Sequence, residues 1–278
     1  MSTLFTGISE LRTVSERGTL NDAALVAESG TISWIGPASE APAADEKVDL
    51  GGRAVLPGWV DSHTHMVFDG DRSAEFEARI SGGSYEAGGI AVTMDATRQA
   101  GTDRLDKLVA DRVAAGRRGG TTTFETKTGY GLNTESEVEA AKVASRHVDD
   151  VTFLGAHLVP PGADAEDYLD EVVGPMLEGV APYVQWIDVF CERGAFNEEQ
   201  SRRVLEAGKK LGLGLRVHGN QLGEGPGVAL AVELGAASVD HVNHLSDEDV
   251  ELLANSDTVA TMLPACDLST REPLAPGR

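Results

Sequence analysis

From about residue 55 onward, short apolar runs alternate with stretches patterned as amphipathic helices, and few folds accommodate that rhythm. The runs cover 54–60, 121–125, 151–156, 186–190, 215–217, 238–240 and 259–263. Between them, 103–116 places Leu105, Leu108, Val109 and Val113 on one face. The segment 197–211 opens with "NEEQ" and 246–253 with "SDED", both capping patterns; 225–234 has Pro226 where a first-turn proline belongs. Strands that alternate with helices pair in parallel, and eight such units close a barrel. Seven runs are present, and "DLSTREPLAPGR" leaves no room for another strand and helix. The expectation is therefore an α/β fold over 55–278, a barrel short of its last strand or strands, or an open sheet. Residues 1–54 read instead as a small β module. A hairpin is expected around Glu28-Ser29-Gly30, and a break at the Gly51-Gly52 pair.

The strand ends carry the chemistry. "PGWVDSHTHMVFDGDR", residues 57–72, places His63 and His65 two apart, so on an extended segment both point the same way. The second run ends in Glu125 and Lys127, the third in His157, the fifth in His218 and the sixth in His241. Barrel active sites are built from the C-terminal ends of several strands, so His63 and His65 can hold one ion and His218 can reach it. Neutral imidazole suits zinc or iron, and three histidines leave a shell that wants a carboxylate. A lone His-x-His proves little, because histidines also cap strands and bond loops. Four strands ending in histidine, out of seven histidines in the chain, favour a metal site. His147 reads as a surface residue at a helix end and His244 as structural. Glu125 and Lys127 read as a pair that orients the mouth.

The net charge of −22 would repel a polyanion, so nucleic acid is not an expected partner, and an anionic small molecule needs a local cation. Cys191 and Cys266 fit neither a disulfide framework nor a metal motif. The N-terminus lacks a signal-peptide pattern, and no apolar run approaches the roughly 20 residues of a membrane span. A cytoplasmic protein with no membrane partner is the default expectation.

"PGWVDSHTH" resembles the first-strand signature of the amidohydrolase superfamily. "HTHMVFDGDR", "TTTFETKTGYGL", "TFLGAHLVPP", "DVFCERGAF", "RVHGNQL" and "VDHVNHLSDE" narrow the resemblance to the imidazolonepropionases. It implies a TIM-like (β/α)8 barrel of the metal-dependent hydrolase type with a small N-terminal β-sandwich module, and a homodimer as the family-level state. It implies one divalent metal ion, zinc or iron, on His63, His65 and His218. Arg72 would hold the substrate's propanoate, with Tyr130 and His157 also touching substrate. His241 would polarise the carbonyl or shuttle a proton. Gln221 stands where related deaminases place a glutamate; glutamine cannot act as a base. Each has a plainer alternative: a loop ion pair for Arg72, a turn position for Tyr130, a helix cap for Gln221. The family's metal-binding aspartate after the eighth strand has no counterpart here, and Asp267, after the seventh, does not replace it. The implied reaction is hydrolysis of the cyclic amide 4-imidazolone-5-propanoate to N-formimidoyl-L-glutamate in histidine degradation. The alternatives are a guanine- or cytosine-type deaminase and a non-enzymatic, incomplete barrel.

Overall fold

Four β-rich segments at the start of the chain pair into one mixed sheet in the computed structural model, which describes residues 1–81 and 89–277. They are β1 (Ser2–Arg12), β2 (Thr19–Glu28), β3 (Thr31–Pro37) and β4 (Glu46–Val55), in the order β3-β2-β1-β4. Ser29 and Gly30 both take left-handed backbone, φ 51° and 79°, which is the two-residue loop a tight hairpin requires. The Gly51-Gly52 pair is not a break. β4 runs through it, both glycines are left-handed, and pairing with β1 shifts register there, so the pair is a bulge within a strand. Opposite it, a Cβ on Gly7 would lie 2.1 Å from Asp49 Oδ1 and 2.9 Å from Gly51 N, so the bulge also dictates glycine at position 7. Ile8, Leu11 and Leu25 are buried on one face of the sheet, Leu4 and Val26 on the other. These strands belong to the unit Met1–Trp59; the second unit is Val60–Arg278.

The first apolar run, read as 54–60, is split. Val55 ends β4, Pro57 and Gly58 interrupt, and β5 spans only Trp59–Asp61. Proline has no N–H to give a ladder, which separates the two strands. The other runs are β6 (Thr121–Lys127), β7 (Asp150–Ala156), β8 (Trp186–Cys191), β9 (Gly214–Gly219), β10 (Ser238–His241) and β11 (Val259–Thr261). They form a seven-stranded parallel sheet in sequential order, with β5 and β11 at its edges. Its central strands are buried on both faces, as helix-covered parallel strands must be, whereas Val60 and Val259 at the edges are exposed.

The helices are α1 (Ser73–Ile80), α2 (Gly89–Ala100), α3 (Thr102–Arg118), α4 (Thr134–Ala144), α5 (Ala165–Glu171), α6 (Leu177–Val180), α7 (Glu198–Lys210), α8 (Gly227–Leu234), α9 (Asp247–Ala254) and α10 (Pro264–Thr270). On α3 three of the four expected stripe residues, Leu105, Val109 and Val113, are buried, and Leu108 is half-buried at its margin. Asn197 with Gln200 and Ser246 with Asp249 form reciprocal caps on α7 and α9. Pro226 sits one place earlier than expected, at the N-cap of α8 rather than in its first turn. Among the described residues, no helix is long and apolar enough to cross a membrane.

Candidate metal centre and active site

His63 and His65 follow β5 in the loop beyond it, and His218 lies in β9. One ring nitrogen from each lies within 4.8 Å of the other two. The Nε2 atoms of His65 and His218 are 3.3 Å apart, the separation of two ligands about 2.05 Å from a tetrahedral ion, which is about 3.3 Å. The far nitrogens fit as well. His63 Nδ1 is 2.7 Å from Asp240 Oδ2, and His218 Nδ1 is 3.0 Å from Asp188 Oδ2. At His63 the carboxylate accepts, so Nδ1 carries the proton and Nε2 keeps its lone pair for a cation. Burial, then the Lys127 charge, holds His63 down at about 4, and burial with the neighbouring imidazoles holds His65 well below its ordinary value. Both rings are therefore neutral at pH 7, as metal ligation demands.

An ionic layer supports these rings. Lys127, fully buried at the end of β6, has its Nζ 2.9 Å from Glu125 Oε1, 3.2 Å from Asp188 Oδ2 and 3.6 Å from Asp240 Oδ2. Burial opposes its charge, but the three carboxylates overcome that and push its pKa up. Burial likewise opposes ionisation of Asp240, yet Lys127 and His63 hold it well below the carboxylate range. Glu125 reaches back to the histidine segment by accepting the Thr64 N–H at 3.1 Å, and Lys127 N donates to Thr64 O at 2.9 Å.

Above this layer opens a cavity of about 570 Å³ lined by His63, His65, Arg72, Tyr130, His157, His218, Gln221 and His241, with Phe76, Phe190 and part of α10. All eight residues singled out as site candidates thus meet in one place. His157 Nδ1 lies 2.9 Å from Gly129 O, which fixes its proton there and leaves the Nε2 lone pair free of it. Burial, then His218, depresses its pKa to about 4. The Tyr130 ring packs edge-on to His65 and His157, 5.8 and 5.4 Å between centroids. His241 stands 5.2 Å from the His218 ring on left-handed backbone, φ 80°, followed by Val242 at 48°. Such conformations cost about 1–3 kcal/mol each and persist only where packing over-determines them; Val242 is fully buried and its N–H donates to Gly219 O. Gln221 does not cap α8, which starts only at Gly227; its backbone N–H donates instead to buried Glu192 Oε2 at 3.0 Å.

His147 lies 3.0 Å from Asp106, and His244 braces the Asn220 backbone; neither lines the cavity. Asp267 is buried on α10 and does not line it either.

No protein-family model matches the chain. A curated relative from Arthrobacter sp. (strain FB24), named imidazolonepropionase, is 65% identical over 289 residues, covering 100% of this chain and 72% of that relative. Another of that name, from Paenarthrobacter aurescens, is 62% identical over 291 residues, covering 100% of this chain and 71% of its own length. The chain belongs to the imidazolonepropionase family. Among solved structures, the imidazolonepropionase-family fold seen here is similar to an atrazine chlorohydrolase mutant from Arthrobacter aurescens TC1 complexed with zinc and atraton. That match has 14% identity and a TM-score of 0.66 over 99% of this chain and 68% of the other. A guanine deaminase from C. acetobutylicum with bound guanine has 13% identity and a TM-score of 0.68, over 99% of this chain and 71% of the other. At such identities the likeness shows the fold alone.

Four carboxylates in this imidazolonepropionase-family site escaped sequence reasoning: Asp188, Asp240, Glu192 and Glu137. The first two left a signal, a single acid in the buried strands "WIDVFC" and "SVDH". An acid in a buried strand needs a partner, and Lys127 two places from Glu125 was the visible candidate.

Proposed function

We propose that this chain hydrolyses the cyclic amide 4-imidazolone-5-propanoate to N-formimidoyl-L-glutamate. The observation that carries the reading is the convergence of three imidazole donors, two further buried imidazoles and one guanidinium on a single cavity. His63, His65 and His218 would hold one divalent metal ion, whose chemistry is to polarise a carbonyl and bring the pKa of water toward about 7. Arg72 supplies the cation that an anionic ligand needs on a protein of net charge −22. Tyr130 and His157 position the heterocycle; with its proton fixed on Nδ1, His157 offers Nε2 as acceptor to a ring N–H. Gln221 has no basic atom and orients the substrate. His241, neutral and buried, takes up the proton released as water adds and returns it to the departing ring nitrogen. Water's oxygen ends on the carbonyl carbon as a new carboxyl group, the ring C–N bond opens, and the carboxyl's own proton leaves to solvent.

The test is a direct competition of substrates. Metal-loaded protein is assayed with 4-imidazolone-5-propanoate, guanine and cytosine, and its zinc and iron are quantified after gel filtration. Turnover of the imidazolone alone supports the proposal. Release of ammonia from a base, or no turnover by fully loaded protein, overturns it.

A further inference from the structure

Residues 129–132, which present Tyr130 to the cavity, are wrapped around a carboxylate that no catalytic step uses. Glu137, in the first part of α4, is fully buried. Its Oε1 accepts the N–H groups of Gly131 and Leu132 at 2.7 and 2.9 Å, and its Oε2 accepts that of Gly129 at 2.9 Å. The peptide units on both sides of Tyr130 therefore converge on one anion. The same turn is gripped from its carbonyl side, where Arg98 of α2 donates Nε to Gly131 O at 2.6 Å and Nη2 to Leu132 O at 2.9 Å. Anion and cation are thus linked through the peptide dipoles between them, and charge-assisted bonds of this length fix geometry tightly.

The grip extends to the second substrate-side ring. The peptide of Gly129 gives its N–H to Glu137 and its carbonyl to His157 Nδ1. Gly129 has no slack: its φ is 105°, and a Cβ there would lie 2.6 Å from Leu154 O. Leu132, also left-handed at φ 51°, would relax if its bond to Glu137 were lost.

We propose that Glu137 is the positioning residue that sets Tyr130 and His157 in register with the substrate, acting through the 129–132 backbone. This rests on the substrate-contacting roles given above to those two rings. Glu137→Gln keeps the shape but turns one acceptor into a donor that faces peptide N–H groups.

The experiment is steady-state kinetics of the metal-loaded full chain with 4-imidazolone-5-propanoate, for E137Q, Y130F and E137Q/Y130F. E137Q should raise KM about tenfold with kcat within about threefold, because ground-state positioning is lost while the metal and proton groups stay. Bound metal should stay at the wild-type level. In the Y130F background the effect of E137Q should shrink to about threefold or less, the mark of two residues acting as one unit. R98M, which loosens the same turn from an exposed position on α2, should raise KM about threefold and serves if E137Q does not fold. An unchanged KM in E137Q, or full multiplicativity in the double variant, overturns the inference and leaves the catalytic reading standing. So does an unchanged KM in R98M where E137Q cannot be purified. If Y130F alone leaves KM unchanged, the role of Tyr130 falls and the inference falls with it.

Discussion

Replacing Lys127 by methionine isolates the ionic layer under the histidines. Methionine matches the length of the stem but removes the ammonium that sits among Glu125, Asp188 and Asp240, each within 3.6 Å of it and all buried. Breaking one partner of a buried ion pair costs about 3–5 kcal/mol, chiefly because the remaining charge is stranded. In a domain of this size that corresponds to a fall in Tm of about 6–20 °C. The sign with pH follows from the direction of the shift. The folded pKa of Lys127 is pushed above the unfolded value of about 10.4, so its stabilisation is complete below that pH and fades only above it. The deficit of K127M should then be level from pH 7 to 9. It should shrink toward pH 5 as the stranded carboxylates of the variant take up protons. Circular dichroism melts of metal-free protein at pH 5, 7 and 9 measure this directly. E125Q/K127M should melt higher than K127M alone, since one stranded charge is gone. A deficit under about 1 kcal/mol at pH 7 would mean that water screens the cluster, and the account of how Asp240 stays ionised would be wrong.

Asp240→Asn should weaken metal binding about 10- to 100-fold, the usual cost of losing a ligand's carboxylate partner; chelator competition with zinc reads it, and an unchanged affinity would deny Asp240 any hold on His63. The metal-free wild type should lose about 2–3 kcal/mol more stability than H157N between pH 7 and 4.5. His157 is held neutral down to about 4 while its unfolded form protonates near 6.5, so the unfolded chain binds the extra proton in that window; equal losses in urea titrations would contradict the burial argument. Arg72→Lys should raise KM for the anionic substrate about tenfold while kcat changes little, because an ammonium cannot reproduce the two-pronged grip on a carboxylate; an unchanged KM places the propanoate elsewhere.

Much of the site was legible along the chain because its members stand at the ends of apolar runs. His63 and His65 stand two apart just beyond the first strand, and His157, His218 and His241 lie at the ends of strands that had to converge once the sheet was parallel. The rest was not legible because backbone geometry is invisible at that level. Pro57-Gly58 splits one apolar run between two sheets, and Gly51-Gly52 reads as a stop although the strand passes through it. Glu137 and Glu192 drew no notice along the chain; each is a buried carboxyl group that organises a loop by accepting peptide N–H groups.

By itself, the order of residues determined the alternating elements, the parallel sheet and the imidazoles at its mouth. Those properties follow from periodicity and neighbour chemistry, which act over a few residues. Only the tertiary structure decided which acids support which imidazoles. His63 meets Asp240 across 177 residues, and Lys127 meets Asp188 and Asp240 from separate strands. Such pairings depend on strand register and on the curl of the sheet, which no local pattern encodes.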